Sequence, residues 1–529
     1  MDNEPSHYGL YDYNEATKAA FLEWLKVKYN VIDSLNLRWG NSFWSQTYSS
    51  FDQIRLPNQK ELVQPLNPHE LLDFQEFTNA QRGVFLRRQA KLLRTYILPN
   101  QFITANYFMQ LPHIDPWVNK NDLDFASYTN YPINSYSEVE NGVLGFRLGS
   151  GSDLSMTHDF YQSVNGVTGV MELQPGQVNW GRYNAQPLPG AVRMWIWHTF
   201  SLGAKFVCTY RYRQPLFGNE QYHQGIIQTD GVSLSRGGKE YEQAIKELKE
   251  IKKIYKPDDS QVKKIGILWD QRSMLDLMNF PHNQHWNGVS SLTKFYESLK
   301  SFALPIDFIL SSDSIDPMHY PILLVPSVQL VDEKMVEKWE QYVRKGGTLL
   351  IAPRTGQKNR DGHLWKTTLQ KSISKLIGAD ILYYDHLPPT KIGQVIFNEQ
   401  KYDWNTWGEI IEVTKKSKNT TVLAVYSDQF YKDKAAVVST KIGKGKVVYI
   451  GTTSIEGALE KAVIKDCLDA LGLAKQTLPR FVYQERRGNL IVTVNYSSLP
   501  YSILLGKKQK LVLGETTVSP GSVAVVVCQ

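Results

Sequence analysis

Four short apolar runs set the limits on what this chain can fold into. They are Phe102-Ile-Thr-Ala-Asn-Tyr-Phe108, Phe125-Ala-Ser-Tyr-Thr-Asn-Tyr131 ahead of Pro132, Gly169-Val-Met-Glu-Leu173 and Lys205-Phe-Val-Cys-Thr-Tyr-Arg211. Each has the length and residue types of a buried strand. Helical patterns separate or flank them. Ala191 to Phe200 is apolar nearly all round and predicts a buried helix, whereas Glu240 to Tyr255 predicts a polar outer one. Apolar strands alternating with helices are the mark of parallel βαβ units. Ahead of the first strand, Asn14 caps a helix running to Tyr29, with Ala20, Leu22, Trp24 and Leu25 as its buried face. Asn67-Pro68 opens a second helix that continues to about Tyr96, with Leu71, Phe74, Phe77, Phe85 and Leu92 as its stripe.

In parallel α/β barrels, chemistry gathers at the carboxyl ends of the strands. The third run carries Glu172 near its end, then a Pro175-Gly176 break, then Trp180 eight residues past the acid. A single strand-end carboxylate is most often only solvated. A second acid, Glu4 in Met1-Asp-Asn-Glu-Pro5, supplies the pair that glycoside hydrolysis uses. The competing reading of Glu4 is a frayed terminal acid.

Asp2-Asn-Glu4, Asn41-Ser-Phe-Trp-Ser-Gln46, Met171-Glu-Leu-Gln-Pro-Gly176 with Asn179-Trp180, and Glu220-Gln-Tyr-His223 stand in an order and spacing that resemble glycoside hydrolase family 42, the β-galactosidases. The resemblance runs over essentially the whole chain. It implies a (β/α)8 barrel and a retaining exo-glycosidase that removes terminal β-D-galactosyl residues. It assigns Glu172 as nucleophile and Glu4 as acid/base, and it implies that Asn3 bonds the sugar 2-hydroxyl. Trp180 would wall the sugar, and Glu220 and His223 would hold galactose hydroxyls. Tyr131 would orient Glu172 or touch substrate, with Tyr128 as the competing choice. In the family the Asn-Glu motif closes the fourth barrel strand. Residues 1–256 are therefore expected to be a partial barrel, about strands 4–8, lacking some 110 or more residues and a substrate-contacting Arg. Two rival readings are an α-L-arabinopyranosidase and a catalytically impaired remnant acting in assembly or sugar binding. Some relatives hold zinc through cysteines soon after the Asn-Glu motif. Pro5 to Leu25 has none, so neither a metal nor any other cofactor is expected.

A polar linker, 257–262, leads into Lys264–Asp270, Ile306–Leu310, Ile322–Pro326, Thr348–Pro353 and Gly445–Gly451, all buried-strand runs. The helix Asp332 to Lys345 is signalled at both ends. This second unit, 263–475, reads as a doubly wound α/β domain and resembles the amidotransferase-like domain through which the family trimerises. No cysteine lies between Lys264 and Gly451, which excludes amidotransferase chemistry and leaves scaffolding. A homotrimer is the expected assembly. Residues 476–529 read as a small antiparallel β domain, with Arg486-Arg-Gly-Asn489 as a hairpin turn.

The remaining signals mostly exclude. The formal charge is +7, but basic residues alternate with acids, as in Lys246-Glu-Leu-Lys-Glu-Ile-Lys-Lys253, so no nucleic-acid partner is expected. No run of apolar residues is long enough to span a bilayer. Cys208, Cys467 and Cys528 are far apart and each is expected to pack as a small hydrophobe. His282 and His285 have ligand-like spacing without acid or Cys partners, so exposed histidines are expected. The compartment stays open, with the cytoplasm favoured.

Overall fold

The computed structural model describes all residues except 1, 6, 8, 59–65, 110, 134–140, 258–262, 314, 475 and 529. Most of the expected linker therefore lies outside the described residues. Helix α1 (Glu15–Tyr29) starts where Asn14 accepts a hydrogen bond from the Thr17 amide at 2.8 Å. It buries Phe21, Leu25 and Tyr29, with Leu22 and Trp24 packed beside them; of the expected face only Ala20 is exposed. These three pack with Leu35 and Trp39 of α2 (Ile32–Trp39) and Phe74 and Phe77 of α3 (Pro68–Arg94).

The stripe expected on α3 holds only in its first half. Phe85 and Leu92 are exposed, and Leu86 and Ala90 face inward instead. The reason is a change of partner along the helix. Its first turns meet α1 and α2, while Leu86 and Ala90 join Ala105 and Tyr107 in the core around the first sheet.

That sheet contains β1 (Thr104–Phe108), β2 (Phe125–Asn130), β3 (Val170–Leu173) and β4 (Val207–Thr209), all parallel and in chain order. Helix α4 (Gly151–Asn165) links β2 to β3, and α5 (Ala191–Leu202) links β3 to β4. As its composition demands, α5 buries Val192, Met194, Trp195, Ile196 and Trp197. Helix α6 (Arg236–Lys252) is capped by Ser235 and lies on α5. Flat outer strands of a four-stranded sheet would sit about 14 Å apart. Yet Phe102 and Phe206, just ahead of β1 and β4, stack with ring centroids 6.5 Å apart, so the sheet curls at this end. Cys208 is exposed rather than packed, because it lies on the edge strand β4.

The second sheet has eleven strands. Its parallel half takes β5 (Ile265–Trp269), β6 (Ile306–Leu310), β7 (Ile322–Val325), β8 (Thr348–Ile351) and β14 (Gly445–Ile450) in the order 6-5-7-8-14. Helices α7 (Gln271–Asn279), α8 (Gly288–Lys300), α9 (Glu333–Arg344) and α11 (Ala458–Ala470) belong to this half, with the short α10 (Lys371–Ile377) between them in sequence. A doubly wound reading accounts for this half only. Strands β9 (Ala379–Asp385), β10 (Gly393–Phe397), β11 (Gln400–Val413), β12 (Thr420–Tyr426), β13 (Ala435–Ile442) and β15 (Thr452–Ser454) extend the sheet in antiparallel fashion. The β10–β11 turn uses Asn398 and Glu399 at φ +48° and +64°, without the glycine that normally announces such a hairpin.

The C-terminal unit is antiparallel, β16 (Val482–Arg487), β17 (Leu490–Asn495), β21 (Val523–Cys528) and β19 (Gln509–Leu513) in that order, with β18 (Tyr501–Ser502) paired to β20 (Thr517–Val518). Three parts of the chain meet at Lys300 on α8. This wholly buried ammonium lies 2.5 Å from Glu485 of β16 and 3.6 Å from Asp159 of α4, and Asp159 also accepts from Tyr296. Among the described residues no helix is long and apolar enough to cross a membrane.

Candidate active site

The C-terminal ends of β2, β3 and β4 bring together the side chains singled out from the sequence. Glu172 is the third residue of β3, paired in register with Thr129 of β2. The chain leaving β3 is fixed by Gln174, wholly buried, which accepts from the Ile133 amide and donates to the Gly176 carbonyl. Across from Glu172, the Tyr131 hydroxyl donates to its Oε2 at 2.8 Å. Tyr128 does not compete for this role. It is fully buried and its hydroxyl meets His158 Nδ1 at 2.9 Å.

Glu4 arrives from the other side. Its amide donates to the Asn106 carbonyl at the outer edge of β1, and the residue is 9 % exposed. His7 Nδ1 lies 3.6 Å from its Oε2. Asn3 is held by Asn106, whose Nδ2 donates to the Asn3 Oδ1 at 2.7 Å and also reaches Thr129 Oγ1. The terminal segment is therefore tied to the first sheet and not frayed.

Charge converges on Glu172. Burial raises its carboxyl to about 7; the Tyr131 hydrogen bond works against that, and the negative charges of Glu4 and Glu220 add to it. Burial, then Glu172 itself, raises the Tyr131 phenol far above its ordinary range, so it stays a donor. Three carboxylates and one phenol thus share a small space.

The aromatic wall is built around Tyr131. Trp180 meets it edge-on at 4.6 Å and stacks beside His223 at 6.3 Å. Trp180 is 43 % exposed, so it offers a face to a ligand rather than filling core. His223 is fully buried, and burial keeps it neutral by lowering its pKa. With Nδ1 directed at the Gln224 carbonyl, 3.2 Å away, Nε2 is left as an acceptor with no partner among the described residues. A buried acceptor with nothing to bond is costly unless a ligand hydroxyl supplies the proton.

Glu220 is clamped through one oxygen. Tyr210 and Arg211, just past β4, both donate to its Oε2 at 3.0 Å. Neither residue, nor Asn106, stands out in the sequence by motif. A signal existed for Asn106 and Thr129, which are polar residues inside apolar strand runs and must find partners once buried. His282 and His285 lie elsewhere, in the second unit; both are exposed, and His282 packs on His386 with centroids 4.7 Å apart.

Comparison with known proteins gives a consistent result. Residues 1–251 match the glycoside hydrolase 42 family, described as β-galactosidase, and residues 263–474 match its β-galactosidase trimerisation domain. The chain is 28% identical to a β-galactosidase of Thermus thermophilus, covering 99% of this chain and 78% of that one. It is also 28% identical to the β-galactosidase BgaH of Haloferax lucentense, covering 99% and 77%. Among solved structures, the β-galactosidase of the psychrophilic Marinomonas ef1 superposes with a TM-score of 0.89 at 28% identity, covering 100% of this chain and 79% of that one. The β-galactosidase of Halorubrum lacusprofundi gives 0.89 at 28% identity, covering 99% and 78%.

Proposed function

Since this chain belongs to the glycoside hydrolase 42 β-galactosidases and is a glycoside hydrolase acting on β-galactosides, we propose that it works by retention, with Glu172 as nucleophile and Glu4 as acid/base. The observation that carries this reading is the setting of Glu172, at the end of a central parallel strand, bonded to Tyr131 and within electrostatic reach of two other carboxylates. Glu172 attacks the anomeric carbon while Glu4 gives its proton to the departing oxygen, and a galactosyl-enzyme ester forms. Glu4, now a carboxylate, takes a proton from water as that water attacks the same carbon and frees Glu172.

The other groups serve binding and position. Asn3, held by Asn106, bonds the 2-hydroxyl, a contact that strengthens as the ring gains oxocarbenium character. Trp180 supplies the apolar wall. His223 Nε2 and the unclamped oxygen of Glu220 accept from galactose hydroxyls. We place the four-stranded sheet as an arc of a (β/α)8 barrel, which its parallel order and its curl support. The matched trimerisation domain supports a homotrimer.

The test uses a nitrophenyl β-galactoside and azide. Glu172→Ala should lose activity and regain part of it with azide, releasing α-galactosyl azide, because the anion enters from the face the carboxylate held. Glu4→Ala should release β-galactosyl azide instead. The same anomer from both variants would contradict the assignment.

A further inference from the structure

Beyond β4 the chain folds back on itself around an open cavity of about 450 Å3 that shares Glu220 with the site above. Arg211, Arg213, Gln214, Phe217 and Asn219 form the rest of the wall that matters here. We propose that this cavity is a second sugar subsite, selective for a saccharide group carrying a carboxylate or a sulfate. The proposal rests on the galactosidase reading, which places one sugar hydroxyl on Glu220.

Size and shape come first. A volume of this order falls within the range of about 300–1,000 Å3 usual for small-molecule sites. The loop is also built before any ligand arrives. Gln214 N donates to the Ile227 carbonyl at 3.0 Å, Ile227 N donates to the Tyr212 carbonyl at 2.7 Å, and Gln214 Nε2 donates to the Gln221 carbonyl at 2.8 Å. A preformed wall lowers the ordering cost of binding.

Charge then selects the ligand. The lining residues include two arginines and one glutamate, and Arg211 is committed to Glu220 at 3.0 Å. Arg213 is the surplus cation. Its Nη2 donates to the Thr229 carbonyl, and its guanidinium lies against Gly231 at φ +78°, where a Cβ would come within 3.0 Å of Cζ. A residue larger than glycine would push the guanidinium out of this position. Asp230 is close enough to feel Arg213, but its carboxylate is held by Ser233 and by the Val232 amide, and it does not line the cavity. The planar fork of Arg matches a carboxylate or sulfate. Phe217, 82 % exposed, adds an aromatic face against which a sugar ring can lie.

The negative charge could sit on the galactosyl ring or on the sugar it leaves, and one experiment separates the two. Wild type and Arg213→Ala are assayed for kcat/KM on nitrophenyl β-galactoside and its 6-O-sulfate, and on galactosyl-glucuronic acid and galactosyl-glucose. In wild type one anionic substrate should exceed its neutral counterpart about tenfold, the value of one charged hydrogen bond, and Arg213→Ala should erase that ratio. A gain for the sulfated galactoside places the charge on the galactosyl ring, and a gain for the disaccharide places it on the leaving sugar. Equal rates for both pairs in wild type, or a ratio that survives Arg213→Ala, would overturn the proposal. Should wild type turn over none of the four, the galactosidase reading itself fails. NMR titration with galactose 6-sulfate and glucuronate then decides the subsite, by whether Arg213→Ala weakens either one.

Discussion

Tyr131 donates its phenolic proton to Glu172 Oε2 over 2.8 Å, and this bond is the one contact that opposes every other influence on the Glu172 carboxyl. A carboxyl near 7 is half ionised at neutral pH, and only the ionised form attacks carbon. Activity should therefore fall as pH drops through about 7. In Tyr131→Phe the opposing bond is gone, so the carboxyl rises further and the acid limb of the pH–rate profile moves to higher pH. The loss in kcat/KM at neutral pH should be about 10- to 100-fold, the worth of a hydrogen bond to a charged group, and smaller at pH 9. An acid limb left where it was would sink the idea.

Trp180 stands edge-on to Tyr131 with one face open. Replacing it by Ala removes stacking worth about 0.5–1.5 kcal/mol beyond area burial. KM for a nitrophenyl β-galactoside should rise up to about tenfold, with kcat changing less, and Trp180→Phe should recover most of the loss. Steady-state kinetics of the two variants settle it.

In the proposed mechanism Asn106 is a positioning residue that acts through Asn3, to which its side chain is bonded at 2.7 Å. In Asn106→Ala the terminal segment loses this tether, and misplacement on the order of 1 Å costs up to about 100-fold. If Asn3 serves the 2-hydroxyl, the variant should lose rate on a galactoside and lose little on the 2-deoxygalactoside. Equal losses on both substrates would mean that Asn106 only supports the fold.

Lys300 holds two buried carboxylates in place. Burial raises Asp159 to about 6, with Lys300 working against that rise. Its folded value exceeds the unfolded value of about 3.9, so its share of stability is present at low pH and declines as pH climbs towards 6. Lys300→Met removes the neutralising charge, which extends that decline to higher pH. Urea unfolding should show a loss of about 3–5 kcal/mol at pH 8 and a smaller loss at pH 5. A double change that also makes Asp159→Asn should recover part of it.

The sequence reading was strongest where a local rule and the tertiary context agreed. The four apolar runs became four parallel strands, and α5, apolar on every side, is buried on nearly every side. Glu172, Tyr131, Trp180 and His223, each singled out from the sequence, lie side by side at one end of the sheet. The misses have physical causes. On α3 the periodicity predicts a helix but cannot tell which neighbour each turn meets, and Phe85 and Leu92 face solvent. Helix α4 hid behind Ser152, Thr157, His158 and Asp159, polar residues that are buried, with His158 and Asp159 bonded to Tyr128 and Tyr296 across the fold. The antiparallel half of the second sheet lacked Gly-bearing hairpin signals at Asn398-Glu399. The Tyr210–Arg211 clamp on Glu220 depends on a loop returning upon itself, which no spacing reveals.

The C-terminal β unit is joined to the rest through groups that cannot be left bare. Tyr496 completes the hydrogen bonding of the fully buried His198, Glu485 neutralises Lys300, and Arg487 reaches carbonyls of α5 and the residues after it. Shortening the chain at the start of this unit is thus not the removal of an appendage, since it would uncover an imidazole and an ammonium inside the remaining protein. In a calorimetric scan the small unit should have no melting peak of its own, and should be lost in the same transition as the helices that carry His198 and Lys300.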